Sequence, residues 1–329
     1  MTITAFVTGG SGFVGRNLIR ALCARGDTVR ALVRSDASAA IVSSLGADPV
    51  PGDLEVTGVM REAMHAADVV FHVAAEVAEW GPRSRFEHGN VEGTRNVLTA
   101  AKEAGVPALV HVSTEAVLAD GSPLVRVDES RPRPARAYPR YPDTKGRSEA
   151  LVQAANSPSL RTVVVRPRLI WGADDTSVLA QLVDAVKKGR FMWMNEGRYP
   201  TSTCHVANLV EGMLLAAEKG RGGEIYFITD GDPVELRSFV TRMLATQGVE
   251  IPDKSVPHGV VRALAFATEK TWDLLSLPGK PPATRMAVCL FGQEVTVIDT
   301  KARRELGYRG SMSIEAGLSD LAARAQRAA

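Results

Sequence analysis

Short apolar runs alternate with stretches of helical spacing through the first half of the chain. Residues 3–8 are apolar and β-branched, residues 28–33 read as a second strand, 48–50 as a short third, 69–74 as a fourth and 108–113 as a fifth. A sixth run, 163–166, is closed by Pro167. Between them, residues 17–25 and 93–104 repeat apolar positions at helical intervals, and Gly105 and Pro107 stop the second helix. Apolar strands alternating with amphipathic helices predict a parallel sheet covered on both faces. Beyond residue 166 the pattern loosens into helices at 178–188 and 206–219, a strand at 225–228, then short helices among proline-containing loops.

The first strand leads directly into Gly9-Gly10-Ser11-Gly12-Phe13-Val14-Gly15, which opens the first helix. Glycines at 9, 12 and 15 permit a tight turn, close approach of a pyrophosphate to the backbone, and tight helix–strand packing. The helix start adds free N–H groups and a positive dipole end. The expected architecture is therefore α/β, a Rossmann-type doubly wound parallel sheet that binds NAD(P) over residues 1–166. A smaller substrate-binding lobe is expected over 167–329, with part of 203–230 returning to the first domain. At the end of the second strand a ribose 2′-hydroxyl wants a carboxylate and a 2′-phosphate wants an arginine. Arg34 stands there, with Asp36 two residues on, which favours NADP and leaves NAD as the alternative.

Tyr141-Pro142-Asp143-Thr144-Lys145 sets a phenol and an ammonium one helical turn apart. A neighbouring cation favours the phenolate. Bringing a tyrosine pKa from about 10 toward 7 takes about 4 kcal/mol of differential interaction. Such a tyrosine donates a proton to a carbonyl oxygen as hydride arrives, or removes it in the reverse direction. Ser113 and Thr114 end the fifth strand at the carboxyl edge where ligands bind in open sheets. Asn90 precedes the helix beginning near Gly93, and Asp53-Leu54 follow the third strand.

Composition narrows the partners. The net charge of +2 argues against nucleic acid or a membrane surface, and no apolar run approaches the roughly 20 residues that span a bilayer. Residues 260–266 have the spacing of an amphipathic helix, read as a core or interface helix rather than one touching lipid. Six scattered histidines offer no metal-ligand spacing, so no metal is expected. Three distant cysteines suit a reducing compartment, and no signal segment opens the chain, so a cytoplasmic location is expected. A homodimer stays open.

In order, the Gly9–Gly15 loop, Asp53-Leu54, Phe71-His72-Val73-Ala74-Ala75, Asn90-Val91-Glu92-Gly93-Thr94, Ser113-Thr114, Tyr141 to Lys145 and Arg166-Pro167 resemble the extended short-chain dehydrogenase/reductases. Trp80-Gly81, the Tyr-Pro start of the motif, Ser202 to Val206 and the ending Asp299 to Tyr308 are similar to the 3β-hydroxysteroid dehydrogenase and dihydroflavonol reductase branch. The resemblance implies roles. Thr114 would polarise the carbonyl, Tyr141 would be the acid/base, and Lys145 would hold the nicotinamide ribose and tune Tyr141. Asn90 would serve a proton relay or brace the backbone. Asp53 would meet adenine, Ala74 the adenosine ribose and Pro167 the carboxamide, with Phe13, Val14, Leu54, Val73 and Ala75 in the same cofactor cradle. Dehydratases of the superfamily carry two acids after the threonine, whereas this chain has Glu115-Ala116. Epimerases often carry a tyrosine where it has Leu118. Simple redox chemistry is favoured. A sugar-nucleotide epimerase retaining NAD and a non-catalytic redox sensor remain as alternatives.

Trp80, Trp171, Phe191, Met192, Trp193 and Met194 supply apolar and aromatic surface suited to a hydrophobic ketone, aldehyde or alcohol, such as a sterol, a dihydroflavonol or a β-keto acid. Arg168 and His205 join Trp80, Thr114, Tyr141 and Trp171 as substrate-binding candidates, although His205 also suits a helix entry. Arg133, Arg136 and Arg140 fit a solvated basic loop better than an anion clamp.

Overall fold

Seven parallel strands form the central sheet: β1 (Thr4–Thr8), β2 (Thr28–Val33), β3 (Asp48–Pro51), β4 (Val69–His72), β5 (Ala108–Val112), β6 (Arg161–Pro167) and β7 (Ile225–Ile228). Their spatial order is β7-β6-β5-β4-β1-β2-β3. The computed structural model describes residues 2–135, 138 and 140–328. Connections run outward in opposite directions from β1 and β4, so a crevice opens at the carboxyl ends of these two strands.

Alternation along each strand decides which layer it serves. In β1, Ala5 and Val7 enter one core with Leu18, Ile19 and Leu22 of α1 (Phe13–Ala24), whereas Phe6 enters the other. The first core is completed by α8 (Val206–Lys219) and α12 (Thr300–Leu306), through Leu209, Met213, Ala302 and Leu306. The second lies under α3 (Thr57–Ala63), α5 (Gly93–Glu103) and α6 (Tyr141–Ala154), through Met60, Val97, Leu98 and Val152. Removing the ring of fully buried Phe6 would cost about 3–5 kcal/mol by the measure of such core truncations.

The seventh strand comes from the second half of the chain: Ile225 to Ile228 pair with Val164 to Pro167. The rest of that half builds a lobe around Trp171, Leu179, Trp193, Phe239 and Leu318, gathered by α7 (Val178–Lys187), α9 (Leu236–Ala245) and α13 (Ile314–Ala328). Where the sequence suggested only short helices, α10 (His258–Leu275) runs for 18 residues before α11 (Arg285–Phe291). Only Ala265 and Glu269 of α10 are buried, so its apolar positions do not register as a core face. The first helix starts at Phe13 rather than near residue 17, because Gly12 takes the N-cap position and the glycine loop itself flows into the helix.

Candidate active site

β1 runs into Gly9, whose φ is +72° and where a Cβ would stand 2.7 Å from Ala74 N. A Cβ on Gly15 would stand 2.1 Å from the Gly9 carbonyl oxygen, so α1 can press on the turn only with glycine. Ala74 N donates to Thr8 Oγ1 at 3.2 Å, and Arg16 Nε donates to Ser11 O at 2.6 Å, fixing both sides of the loop. Gly12 brings no side-chain cap and the first turn, with Phe13 and Val14, carries no acid. The N–H groups of this turn are therefore presented at a positive dipole end, a cradle that fits a dinucleotide pyrophosphate.

At the outer end of the crevice a cleft is lined by Val33, Arg34, Asp36, Gly52 and Asp53. Arg34 Nε lies 3.9 Å from Asp53 Oδ2, and its side chain is 79% exposed, free to turn toward a ligand. Leu54 is tied in by its carbonyl, which accepts from Asn96 Nδ2 at 2.9 Å. Val73, Ala74 and Ala75 follow β4, and Pro167 ends β6.

Tyr141 is the first residue of α6 and Lys145 lies one turn along it. Lys145 is buried. Its Nζ donates to Val112 O at 2.7 Å and approaches His111 Nε2 at 3.2 Å. Burial brings its pKa down to about 7, opposed by the charge of Glu149. Glu149 in turn forms a buried pair with Arg166, at 2.9 and 2.5 Å, and accepts from Ser113 Oγ at 2.8 Å. Burial pushes the Tyr141 phenol upward, the Glu115 charge adds to that, and a hydrogen bond with Thr114 pulls the other way. On sequence grounds, Lys145 together with a cofactor's positive nicotinamide ring lowers the phenol; in the chain alone, burial raises it. Desolvation costs the phenolate more than its surroundings return, and Tyr141 stays protonated.

Thr114 Oγ1 donates to Glu115 Oε2 at 2.8 Å and accepts from Ala116 N at 3.2 Å. Glu115 Oε1 is held by Arg168 at 3.1 Å, and both side chains are almost fully buried. Arg168 also donates to Leu290 O. Its expected place among the substrate contacts needs correcting: the guanidinium is committed to Glu115 beneath Thr114. Trp171 needs the same correction. It is fully buried in the lobe core, packs edge-on against Phe239 and His205, and donates to Asp230 Oδ2 at 2.7 Å. His205 is buried as well, and its Nδ1 caps α8 by accepting from Ala207 N at 3.2 Å, the helix-entry role. Trp80 lies under Arg140, which stacks 3.3 Å over its ring and pairs with Asp273 of α10 at 2.5 Å. Arg133 donates to Gly146 O, and Arg136 lies outside the described residues.

Asn90 sits in a π-helical turn, Glu87–Glu92. Its amide accepts from Glu76 N at 2.8 Å and donates to Glu76 O and Thr144 Oγ1 at 3.1 and 3.0 Å, clamping the β4 loop to the start of α6. A buried polar chain that the sequence did not announce continues inward. Thr8 Oγ1, His72 and Thr94 Oγ1 follow at 2.8 and 2.9 Å, then Ser148 Oγ at 2.8 Å and His111 Nε2 at 3.2 Å, ending on Lys145. The β4–β5 register sets His72 directly beside His111, with ring centroids 5.1 Å apart. Burial, and then the charge of Lys145, brings His72 down to about 3 and His111 well below its usual value, so both are neutral. The available signal was a histidine at the same place near the end of two neighbouring strands.

Residues 6–258 match the 3-beta hydroxysteroid dehydrogenase/isomerase family. A 4-hydroxy-2-methyl-3-oxo-4-farnesyl-3,4-dihydroquinoline-1-oxide ketoreductase of Stigmatella aurantiaca is 55% identical over 316 residues, covering 96% of this chain and 95% of that one. A 2-alkyl-3-oxoalkanoate reductase of Stenotrophomonas maltophilia is 34% identical, covering 96% and 98%. A solved dTDP-glucose 4,6-dehydratase variant from Streptomyces venezuelae shares the fold, with TM-score 0.76, 24% identity and coverage of 98% and 96%. The chain belongs to the 3-beta hydroxysteroid dehydrogenase/isomerase family, a branch of the extended short-chain dehydrogenases/reductases.

Proposed function

We propose that this chain is an NADP-dependent reductase of a bulky hydrophobic ketone, with Tyr141 as proton donor. The observation that carries the reading is the assembly of Tyr141, Thr114 and Lys145 at the carboxyl end of β5, on the same sheet edge as the glycine turn of β1 and separated from it by one strand. A nicotinamide dinucleotide held by that cradle supplies the hydride. Gly9, Gly12 and Gly15 with the start of α1 take its pyrophosphate, Arg34 a 2′-phosphate and Asp53 the adenine. Lys145 would hold the nicotinamide ribose and Pro167 the carboxamide.

The chain's own residues manage the proton. Burial keeps it on Tyr141 until a carbonyl oxygen gains negative charge, at which point donation becomes favourable. Thr114 hydrogen-bonds the phenol and orients the oxygen. Glu115, anchored by Arg168, holds the threonine hydroxyl in place. Asn90 acts as a brace, since its amide is occupied on both sides.

The substrate class is supported by the farnesyl-quinoline ketoreductase and the 2-alkyl-3-oxoalkanoate reductase among this chain's relatives. The test is NADPH oxidation by the purified chain with matched ketones, farnesylated or long-alkyl against short. Higher kcat/KM with the longer chain supports the proposal. Turnover of a UDP-sugar without net cofactor consumption, or no oxidation with any ketone, would overturn it.

A further inference from the structure

A threonine hydroxyl has one proton to donate and two lone pairs with which to accept. At Thr114 the proton goes to Glu115 Oε2 at 2.8 Å, because a carboxylate only accepts. Ala116 N donates back to Thr114 Oγ1 at 3.2 Å and caps the short helical turn Glu115–Leu118. The Tyr141 phenol bonds to the same oxygen, and with the threonine proton already committed it does so as the donor. All three positions of the hydroxyl are taken. Glu115 is no more open to a ligand, since its other oxygen is paired with the Arg168 guanidinium at 3.1 Å and both side chains are buried.

A ketone in the site changes one of these three bonds. Tyr141 has to turn its proton to the carbonyl oxygen, which vacates a lone pair on Thr114. Thr114 does not follow by donating to the same oxygen. That would exchange a bond to a charged acceptor for one to a neutral acceptor, about half as strong, and would strip Glu115 Oε2 of the hydrogen bond it has. The donation to the carbonyl that the family resemblance implies for Thr114 is therefore closed. Its vacated lone pair calls for a donor on the ligand. That donor must reach Thr114 while the carbonyl oxygen reaches Tyr141, and these two side chains are themselves in hydrogen-bond contact. The two ligand oxygens are thus close neighbours, as they are when a hydroxyl sits on the carbon next to the carbonyl.

We infer that Glu115 makes Thr114 a hydrogen-bond acceptor and so selects α-hydroxyketones, whose hydroxyl donates to Thr114 while Tyr141 protonates the carbonyl. Glu115 is a positioning residue here, since it touches Thr114 and not the ligand. The inference rests on the reductase reading proposed above and narrows it to a substrate class. In the step it describes, the carbonyl carbon takes a hydride from the reduced nicotinamide, which is oxidised. The carbonyl oxygen takes the Tyr141 proton, the phenol regains one from solvent, and a vicinal diol leaves.

The experiment compares benzoin, which has the hydroxyl, with benzoin methyl ether, which keeps the oxygen but not its proton, and deoxybenzoin, which has neither. With NADPH, kcat/KM for benzoin should exceed both others by about 10- to 100-fold, the effect of leaving a buried acceptor unpaired. Glu115→Gln offers its amide oxygen to Arg168 and its amide N–H to Thr114, which releases the threonine proton toward the carbonyl. In that variant the preference for benzoin should collapse to near parity. A purely structural role for Glu115 would lower all three ketones together and keep their ratios, and that result overturns the inference. So does a wild type that treats the three alike. Thr114→Val removes the acceptor, keeps the shape, and should lose the same preference if Glu115→Gln does not fold by circular dichroism. Its readout is calorimetric binding of the three ketones with NADP+, which needs no turnover. The same titration separates the two readings. If no ketone is reduced, the reductase reading falls, while tighter binding of benzoin to wild type than to Thr114→Val upholds the acceptor. Equal binding of the three ketones to wild type, or none, overturns it.

Discussion

The Lys145 ammonium stands 3.2 Å from His111 Nε2 and 2.7 Å from the Val112 carbonyl, so both contacts lie on β5. An ammonium only donates, so His111 accepts at Nε2 and carries its proton on Nδ1, which has no partner among the described residues. The lysine is thereby oriented, and burial keeps it near the balance between its charged and neutral forms.

That balance predicts a pH profile. Reduction needs the proton on Tyr141 and, on our reading, the charge on Lys145. The phenol holds its proton throughout the working range, while Lys145 titrates near 7. Reductive kcat/KM should be flat below about pH 7 and fall about tenfold per unit above it. Lys145→Arg, always charged, should move the break to higher pH. His111→Leu removes an acceptor that favours the charged form and should move it lower. A profile without a break between pH 6 and 9 would exclude this role. In stability the sign is opposite. Lys145 is depressed below its unfolded value of about 10.4, so its unfavourable contribution is full below about 7 and is relieved as pH rises toward 10.4.

Tyr141→Phe keeps the ring and removes the proton. Turnover should drop by about 100- to 10,000-fold, the usual worth of a positioned acid. Cofactor affinity, read by fluorescence titration, should stay within about twofold. A variant that turns over at the wild-type rate would mean another group delivers the proton.

Arg34→Ala tests the cofactor choice. A charge-assisted contact to a 2′-phosphate is worth about 1.5–3 kcal/mol, so KM for NADPH should rise about 10- to 100-fold while that for NADH barely moves. Parallel changes for both cofactors would leave the arginine no part in discrimination.

Glu115 and Arg168 form a pair with side-chain exposures of only 3% and 2%. Arg168→Met strands a buried carboxylate and should cost about 3–5 kcal/mol, seen as a lower denaturation midpoint. Replacing both residues, Glu115→Gln with Arg168→Met, should recover much of that loss. No recovery in the double variant would show that the two do not act as a pair.

The strand run and the glycine loop were legible because they depend on local rules. Period-two alternation tells a strand which residues to bury, and Gly9 and Gly15 answer to backbone contacts within a few residues or across one neighbouring strand. Tyr141 and Lys145 were legible for the same reason, since one helical turn brings them to one side whatever surrounds them. Arg168, Trp171 and His205 were not. Their place near a motif suggested a ligand, but their partners Glu115, Asp230 and the α8 N–H groups are chosen by how the lobe folds back.

By itself the sequence determined the parallel sheet, the glycine turn that opens the first helix and the one-turn spacing of Tyr141 and Lys145, because each is written in short-range spacing and side-chain chemistry. Only the tertiary structure decided the protonation of that pair, the His72–His111 contact and the outward turn of α10. Burial and strand register fix the first two, and the third follows from which face of a helix the body leaves uncovered. All of these are set by residues far apart in the chain, so no window of sequence contains them.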